Sequence, residues 1–322
     1  MKTIDAISPA KVNLSLEVGK LDDKTKKHDV KTLMQTLTLH DNLEFFVATN
    51  KSEKDDILSI RNAKKNSIYG IKETPTQEIE GENLSIAITI DDRSCHDLKI
   101  DINENLITKA LLLAAKESNF KEKLHIEVFL EKNIPAMAGL GGGSSNAAAT
   151  LRAANLIFDD ENLVSSSKEI STNLGSDVVF FLQGGQALMG KDGSKLLETH
   201  ASMKNSLVIL KPKAGVSTRL CYEKFDEMKC KDDVHGEFNL KNDLLSPACL
   251  ICDDISKTIN FLKENLTEAE NVSMTGSGSA CFGITKDFSE ASKIACKASL
   301  NGYWAHACSC SSICATAKVR EN

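Results

Sequence analysis

Four glycines within five residues, at positions 139–143, constrain the fold of this 322-residue chain more than any other feature. An alternating strand is predicted before them at residues 125–130, and an alanine-rich helix after them at 147–157, with Ser144 or Ser145 as its N-cap. Glycines permit positive φ and close backbone approach, and the first amides of a helix are unpaired at the positive end of its dipole. The segment therefore predicts an anion-binding turn.

Two well-known phosphate loops do not describe this segment. The pattern G-x4-G-K-[ST] is absent, and G-x-G-x-x-G fails because Ser144 stands where its third glycine should be. A turn that only reverses the chain is the alternative. We consider it the weaker one, because glycines cost backbone entropy wherever nothing requires them.

Composition limits the classes of ligand. Lys and Arg number 39 against 45 Asp and Glu, a net charge of −6, which leaves little room for the basic face that a nucleic-acid backbone requires. The longest apolar run, near residues 110–115, is far shorter than the roughly 18–20 residues of a membrane span. The opening MKTIDAISPAK lacks the apolar stretch of a secretory signal. We therefore expect a cytoplasmic protein that binds small molecules and neither nucleic acid nor membrane.

The order of strands and helices predicts an α+β protein of two domains, residues 1–203 and 204–322. The boundary falls at the end of a polar stretch, residues 191–205. Residues 50–82, rich in Lys and Glu, predict a mobile insertion or a long hairpin. The other elements predicted in the first domain are strands at 11–18, 32–39 and 43–48, the last two joined as a hairpin at 40–42, and a helix at 105–118. The second domain is predicted to hold helices around 218–228, 242–252, 256–265 and 288–300, and strands at 207–210, 272–274 and 281–285.

Ten cysteines, nine of them after residue 220, raise the question of a metal site. Cys249-x-x-Cys252 and Cys308-x-Cys310-x3-Cys314 have the spacing of zinc half-sites. However, Cys249 lies in an apolar stretch, where a thiol behaves as a small apolar side chain, and no His pair stands at metal spacing. We therefore expect neither a metal nor disulfides at these cysteines.

Five segments, in order along residues 8–285, resemble the GHMP kinases, the family that includes galactokinase, homoserine kinase and mevalonate kinase. They are Ser-Pro-Ala-Lys-Val-Asn-Leu at 8–14, the glycine-rich turn at 135–149, Gly-Ser-Asp-Val-Val-Phe-Phe at 175–181, Asn-Asp-Leu at 242–244 and Thr-Gly-Ser-Gly-Ser at 275–279. Within the family, they most resemble the branch that phosphorylates a diphosphocytidyl sugar alcohol in the non-mevalonate isoprenoid pathway.

The resemblance implies a fold and a reaction. The fold would comprise an N-terminal ATP domain like ribosomal protein S5, a C-terminal ferredoxin-like α/β sandwich and an active site in the cleft between them. The reaction would be ATP-dependent phosphorylation of the 2-hydroxyl of the cytidyl alcohol, with Mg²⁺ as cofactor, Asp177 as general base and Lys11 as its partner. Phosphoryl transfer requires such a base and positive charge around the γ-phosphate. Spacing alone favours an ordinary salt bridge between Lys11 and Asp177.

The resemblance also assigns binding residues by position. The residues on the ATP side are Asn105, Lys132, Pro135, Ala136, Met137, Ala138, Gly139, Leu140, Gly141, Gly142, Gly143, Ser144 and Ser145. Ser145 would also be the hydroxyl nearest to Mg²⁺, whose other ligands the sequence leaves open. The residues on the acceptor side are Asn13, His28, Tyr222, Gly276, Ser277 and Gly278. Without the resemblance, Asn105 could equally be a helix cap, Lys132 a surface lysine and His28 a solvated loop residue.

The chain departs from the family pattern beside His28. Lys27 stands where the family has a tyrosine that stacks on cytosine, whereas Tyr222 matches the second stacking aromatic. We expect Lys27 to supply charge to the diphosphate instead. Val179 replaces a proline of the family, a change that removes no functional group.

Two alternatives remain. Another GHMP kinase, such as mevalonate or homoserine kinase, is disfavoured by the opening at 9–13, by His28 and by the strand before Asp41. A kinase-like binding protein without catalysis is disfavoured by Lys11, Asp177 and the complete glycine-rich turn. The sequence does not give the oligomeric state, monomer or homodimer.

Overall fold

The structure is a computed structural model that describes residues 1–22, 27–67, 73–94, 100–118, 120–160, 163, 174–228 and 240–321. The strands within these residues are β1 (Lys2–Leu21), β2 (His28–Ala48), β3 (Glu73–Glu80), β4 (Leu84–Asp92), β5 (Leu124–Lys132), β6 (Gln186–Gly190), β7 (Lys195–His200), β8 (Ser206–Lys211), β9 (Val272–Met274), β10 (Cys281–Thr285), β11 (Trp304–Ser309) and β12 (Thr316–Val319). The helices are α1 (Lys51–Ser67), α2 (Leu106–Glu117), α3 (Gly142–Phe158), α4 (Val178–Gln183), α5 (Thr218–Met228), α6 (Leu245–Ile251), α7 (Asp253–Asn265) and α8 (Phe288–Leu300).

The part of the structure built on β1–β7 and β12 is called here the N-lobe, and in the described residues these strands form one eight-stranded sheet. Its strands run in the order β12-β1-β2-β5-β4-β3, and the β6–β7 hairpin pairs with β2. Alternate side chains of β5, such as Ile126 and Val128, enter the core, as the period-two pattern predicts. Buried alanines of α3, among them Ala147 and Ala154, pack in the same core. Small side chains at these positions allow α3 to approach β1 and α2 closely.

The hairpin predicted at residues 40–42 is wrong, because β2 is one continuous strand. Asp41, taken from sequence as part of a turn, is completely buried. It accepts hydrogen bonds from Lys132 Nζ at 2.8 Å and from the backbone amides of Asn133 and Ile134 at 2.8 and 2.7 Å. The polar residues at this point therefore serve a buried network and do not reverse the chain.

Residues 51–67 form the helix α1, where the sequence predicts a mobile insertion or a long hairpin. The helix packs on the sheet through Ile57, which is completely buried against Phe46 and Phe129. Arg61 donates two hydrogen bonds to the carboxylate of Glu127 on β5. Few apolar side chains and several ion pairs, among them those of Arg61 and Lys64, anchor this helix, so its hydrophobic periodicity is weak in the sequence.

The part of the structure built on β8–β11 is called here the C-lobe. Its strands form a four-stranded antiparallel sheet in the order β11-β8-β10-β9, packed with helices of the second half of the chain. In chain order within the lobe this is the 4-1-3-2 arrangement of a ferredoxin-like domain. The helices and strands predicted for residues 207–300 all occur, with ends shifted by up to three residues. The α+β class is confirmed, whereas the strands β4, β6, β7, β11 and β12 and the short helix α4 were not foreseen from the sequence pattern.

Long strands of the N-lobe reach into the C-lobe and join the two. Leu16 on β1 packs in the C-lobe core, and its backbone amide donates to Lys241 O at 2.7 Å. After the C-lobe, β12 returns to pair with β1, so residues 204–322 are not confined to the C-lobe. The boundary at residue 203 lies between β7 and β8 and stays a prediction. In the described part of the chain, no helix combines the length and apolar character needed to cross a membrane.

Candidate active site

The glycine-rich turn leads directly into α3. The helix begins at Gly142, with Gly141 as its N-cap at φ 74° and ψ 12°, so the prediction of Ser144 or Ser145 as N-cap is wrong. A left-handed residue at the cap lets the chain enter the helix earlier than a serine cap would. The first intrahelical bond runs from Ser145 N to Gly141 O at 2.9 Å. The amides of residues 142–144 precede it and therefore have no intrahelical acceptor.

Close packing requires glycine at two positions of the turn. A Cβ on Gly139, where φ is +73°, would lie 2.2 Å from the carbonyl oxygen of Thr275. A Cβ on Gly141 would lie 2.6 Å from the ring of Phe181. Each position therefore combines a left-handed backbone with a contact that no side chain could occupy.

Hydrogen bonds from both lobes hold the turn. Lys11 N on β1 donates to Leu140 O at 3.0 Å. From the C-lobe, Thr275 Oγ1 donates to Gly139 O at 3.0 Å, and Ala280 N donates to Ala138 O at 3.2 Å. The turn is thus fixed at the junction of the lobes.

Two cavities of about 320 Å³ lie on either side of the turn, and Gly139 and Gly141 line both. The first, called here the nucleotide cavity, is lined by Asn105, Lys132 and residues 135–144, which include every residue predicted for ATP except Ser145. The second, called here the acceptor cavity, lies between the lobes. The predicted site residues that line it are Lys11, Asn13, Asp177, Tyr222, Gly276 and Ser277.

Asn105 and Lys132 are neither exclusively structural nor at the surface. Asn105 is the N-cap of α2, accepting from Ile107 N at 3.0 Å, and also lines the nucleotide cavity. The side chain of Lys132 is only 5% exposed and its ammonium pairs with buried Asp41 at 2.8 Å. A Cβ on Gly142 would lie 3.1 Å from Lys132 Nζ. A positive charge therefore stands beside the first amides of α3.

The two residues predicted to be catalytic, Lys11 and Asp177, pair at the acceptor cavity. Lys11 Nζ lies 3.5 Å from Asp177 Oδ2 and donates to Asn13 Oδ1 at 2.5 Å. The side chain of Lys11 is 4% exposed, whereas that of Asp177 is 23% exposed and faces the cavity. Asp177 precedes α4 but makes no capping hydrogen bond with its side chain. Its carboxylate is therefore available to a ligand.

Two threonines that the sequence did not single out hold Asn13 in place. Asn13 Nδ2 donates to Thr32 Oγ1 at 2.7 Å, and the backbone amide of Asn13 donates to Thr275 Oγ1 at 3.1 Å. Each bond joins Asn13 to a different segment of the chain, so the sequence around Asn13 reveals neither. Of the two threonines, only Thr275 lies in a segment that resembles the family, at the start of residues 275–279. Asn13 is therefore fixed with its amide beside Lys11.

Only part of the turn at residues 275–279 lines the acceptor cavity. Gly276 and Ser277 line the acceptor cavity, and Ser277 Oγ lies 2.8 Å from Thr218 Oγ1 on α5. Gly278 is not among the residues that line the cavity. A Cβ placed on it would meet Met274 Sδ at 2.8 Å, inside the C-lobe. A substrate contact of Gly278 stays a prediction.

His28 and Tyr222 stack on each other beside the acceptor cavity. Their ring centroids are 5.4 Å apart with an interplanar angle of 21°, and Phe225 meets the His28 ring edge-on at 6.0 Å. The His28 side chain is 7% exposed, so the solvated-loop interpretation is wrong. Its Nε2 lies 3.2 Å from Asp226 Oδ1. The pair forms an aromatic platform at the end of the cleft.

Burial is the largest cause that raises the pKa of Tyr222, to about 12, with a further contribution from the charge of Asp177. The phenol therefore stays protonated and can donate a hydrogen bond. Lys27, which stands next to His28, pairs with Asp192 at 2.8 Å. Thr25 and Lys26, the rest of that segment, lie outside the described residues.

The cysteines that the structure describes show no arrangement typical of a metal site. Burial raises the pKa of Cys308 far above its usual range and that of Cys310 to about 12, so in the absence of a metal both are protonated thiols. In the parts of the chain that the structure covers, no group of three or more His, Cys, Asp or Glu side chains could hold a metal ion. Cys95 and Cys230 lie outside those parts.

Comparison with known proteins agrees with this geometry. A sequence profile of the GHMP kinases N terminal domain matches residues 105–185, and a profile of the GHMP kinases C terminal domain matches residues 239–303. A 4-diphosphocytidyl-2-C-methyl-D-erythritol kinase of Prochlorococcus marinus (strain AS9601) is 32% identical over 317 residues, covering 91% of this chain and 89% of that relative. The chain belongs to the 4-diphosphocytidyl-2-C-methyl-D-erythritol kinase family of GHMP kinases. A family member from Thermoanaerobacter pseudethanolicus (strain ATCC 33223 / 39E) is 30% identical, with 91% of each chain covered.

Solved structures confirm the fold of this kinase family in the chain. A crystal structure of 4-(cytidine 5'-diphospho)-2C-methyl-D-erythritol kinase superimposes with a TM-score of 0.67 at 24% identity, covering 95% of this chain and 98% of that one. Homoserine kinase from Cytophaga hutchinsonii superimposes with a TM-score of 0.60 at 15% identity, covering 99% and 97%. The two-domain GHMP kinase fold predicted from the sequence is therefore confirmed.

Proposed function

We propose that this chain transfers the γ-phosphoryl group of ATP to the 2-hydroxyl of 4-diphosphocytidyl-2-C-methyl-D-erythritol, giving the 2-phosphate and ADP in the non-mevalonate isoprenoid pathway. The observation that carries the proposal is the Lys11–Asp177 pair, which lies in the acceptor cavity directly across the glycine-rich turn from the nucleotide cavity. A phosphate held at the turn can thus meet an alcohol held at the pair.

Each group has a role in this reaction. The amides of residues 142–144 and the ammonium of Lys132 would hold phosphate oxygens of ATP. Asp177 would accept the proton of the 2-hydroxyl, and Lys11 would stabilise the negative charge that develops on that oxygen. Asn13 positions Lys11 through their 2.5 Å hydrogen bond.

The ATP side of the structure fits a Mg²⁺ ion. The hydroxyl of Ser145 is buried and makes no hydrogen bond to any residue that the structure describes, so it can serve as a ligand. Mg²⁺ commonly takes one or two protein ligands and completes its shell with phosphate oxygens and water. When bound, the ion would neutralise charge on the transferred phosphate.

The acceptor would lie with its cytosine on the His28–Tyr222 platform and its alcohol at Asp177. The partners of this kinase are small molecules, and we propose a cytoplasmic location. The oligomeric state, monomer or homodimer, stays open.

A coupled ADP-release assay tests the function. The purified chain is given ATP and Mg²⁺ with the diphosphocytidyl alcohol, mevalonate or homoserine in parallel. We expect turnover with the cytidyl alcohol and background rates with the other two. Turnover with mevalonate or homoserine would favour the alternative kinases, and ADP release with none of the three would favour a binding protein without catalysis.

Tyr222→Ala is expected to raise the KM for the cytidyl alcohol by roughly 5- to 100-fold, the usual effect of losing one base–aromatic stacking contact. Steady-state kinetics with the acceptor varied at saturating ATP measures the change. Tyr222→Phe, which keeps the ring, is the matched control and should change this KM by no more than about 3-fold. An unchanged KM in Tyr222→Ala would exclude the stacking role.

A further inference from the structure

A second carboxylate, Asp192, lines the acceptor cavity together with Asp177. It lies in the turn between β6 and β7, in a segment where the sequence predicts only a polar domain boundary. Next to it, a Cβ on Gly193 would lie 3.8 Å from Asp177 Oδ1. The turn therefore forms the wall of the cavity beside the general base.

The turn is held in a costly conformation. Lys191 has φ +63° without being glycine, and Gly193 has φ +91°. The backbone amide of Val30 on β2 donates to Lys191 O, and Gly193 N donates to Gly190 O at 3.1 Å. Strained backbone of this kind persists where surrounding contacts fix it, and it is concentrated at ligand sites.

Asp192 is held as an anion on one side and open on the other. Its Oδ2 accepts from Lys27 Nζ at 2.8 Å and its Oδ1 accepts from Ser194 Oγ at 2.5 Å. Burial raises the pKa of Asp192, but these hydrogen bonds outweigh it and lower that pKa to about 2. A carboxylate has about four acceptor positions. Lys27, Ser194 and the residue's own backbone amide use three of them, so capacity for one more hydrogen bond remains. The side chain is 22% exposed, and it reaches the cavity.

We propose that Asp192 is a specificity-determining residue that accepts a hydrogen bond from a hydroxyl of the acceptor adjacent to the one that is phosphorylated. This inference rests on the proposed function. In the erythritol unit, the 2-hydroxyl is flanked by hydroxyls on C1 and C3, and one of these would meet Asp192 while the 2-hydroxyl meets Asp177. Lys27, which replaces the family's stacking tyrosine, then positions this carboxylate.

The test is a double-mutant cycle in which one change removes the Asp192 carboxylate and the other removes a hydroxyl of the substrate. The chain and its Asp192→Ala variant are assayed with the cytidyl alcohol and with its 1-deoxy and 3-deoxy analogues. Loss of a hydrogen bond to a charged group lowers kcat/KM by roughly 10- to 100-fold. We expect Asp192→Ala to show this loss with the complete alcohol and with one deoxy analogue. With the other analogue, whose missing hydroxyl is the partner of Asp192, variant and parent should agree within about 3-fold.

Two controls separate recognition from support of the turn. Ser194→Ala removes a hydrogen bond to Asp192 but leaves the carboxylate, and it should retain the discrimination between complete and deoxy acceptors. The KM for ATP in Asp192→Ala should stay within about 2-fold of the parent value, because Asp192 does not line the nucleotide cavity. Thermal unfolding establishes that both variants are folded.

Equal losses with all three acceptors would show that Asp192 only supports the turn, and they would overturn the inference while leaving the kinase function intact. Unchanged kinetics in Asp192→Ala would overturn it in the same way. If the parent chain phosphorylates no cytidyl alcohol at all, the proposed function and the inference fall together.

Discussion

Asp177→Asn is expected to lower kcat by roughly 10²- to 10⁴-fold, the usual contribution of a general base. The amide has nearly the shape of the carboxylate but cannot accept the proton of the 2-hydroxyl. The free energy of unfolding should also fall, because the substitution leaves the nearly buried ammonium of Lys11 without its carboxylate partner. Steady-state ADP release measures kcat, and thermal unfolding checks the fold.

Asp253→Asn, at an exposed aspartate on α7 whose side chain is 76% exposed, is the matched control and should retain the parent kcat. The KM for ATP should stay nearly unchanged in Asp177→Asn, because Asp177 lines the acceptor cavity and not the nucleotide cavity. A kcat within a few-fold of the parent value would remove Asp177 from the role of base and leave the Lys11–Asp177 pair as a salt bridge.

Local signals explain what the sequence could predict. The glycine cluster, the alternating strand before it and the alanine-rich helix after it are neighbours in the chain, so their pattern contains most of the information that shapes the turn. The error of three to four residues in the N-cap of α3 arose because serines are better N-caps than glycine. The ring of Phe181, 40 residues further along the chain, leaves no space for a Cβ at Gly141, and no local pattern reveals this contact.

Long-range partners explain what the sequence could not predict. Asp41 was interpreted as a turn residue because its partner Lys132 is 91 residues away. The helix α1 was missed because Arg61 is stabilised by Glu127, 66 residues further on. Polar residues whose partners come from distant strands have the same local signature as solvated ones.

Long-range pairing also explains why only some residues of the site were predicted from the sequence. Lys11, Asp177 and the turn stand in segments that resemble a known family, whereas Thr32 and Asp192 stand in none. Their place at the acceptor cavity follows from the pairing of β1 with β2 and of β2 with β6, which brings three separate segments together. Spacing in the chain predicts such pairings poorly, because strands that pair are separated by loops of any length.

Gly139→Ala is expected to have a large effect on both stability and activity. The new Cβ would stand 2.2 Å from Thr275 O at φ +73°, so either the turn or the 275–279 segment must move. Left-handed strain and overpacking together should lower the free energy of unfolding by about 2–4 kcal/mol. Displacement of the turn relative to Asp177 by about 1 Å should lower kcat/KM for ATP by roughly 10²-fold. Urea denaturation and ADP-release kinetics measure the two effects.

Two other glycines provide matched controls. Gly143 lies inside α3, where a Cβ would have its nearest neighbour at 3.5 Å, so Gly143→Ala should leave the free energy of unfolding unchanged or slightly higher. Gly215, with no atom within 4 Å of its Cβ position, should tolerate alanine without loss of stability or activity. If Gly139→Ala behaves like Gly215→Ala, the turn is not clamped between the lobes. The alignment of the two cavities would then need another cause, since the contact of Gly139 with Thr275 is where the C-lobe fixes the glycine-rich turn against the acceptor cavity.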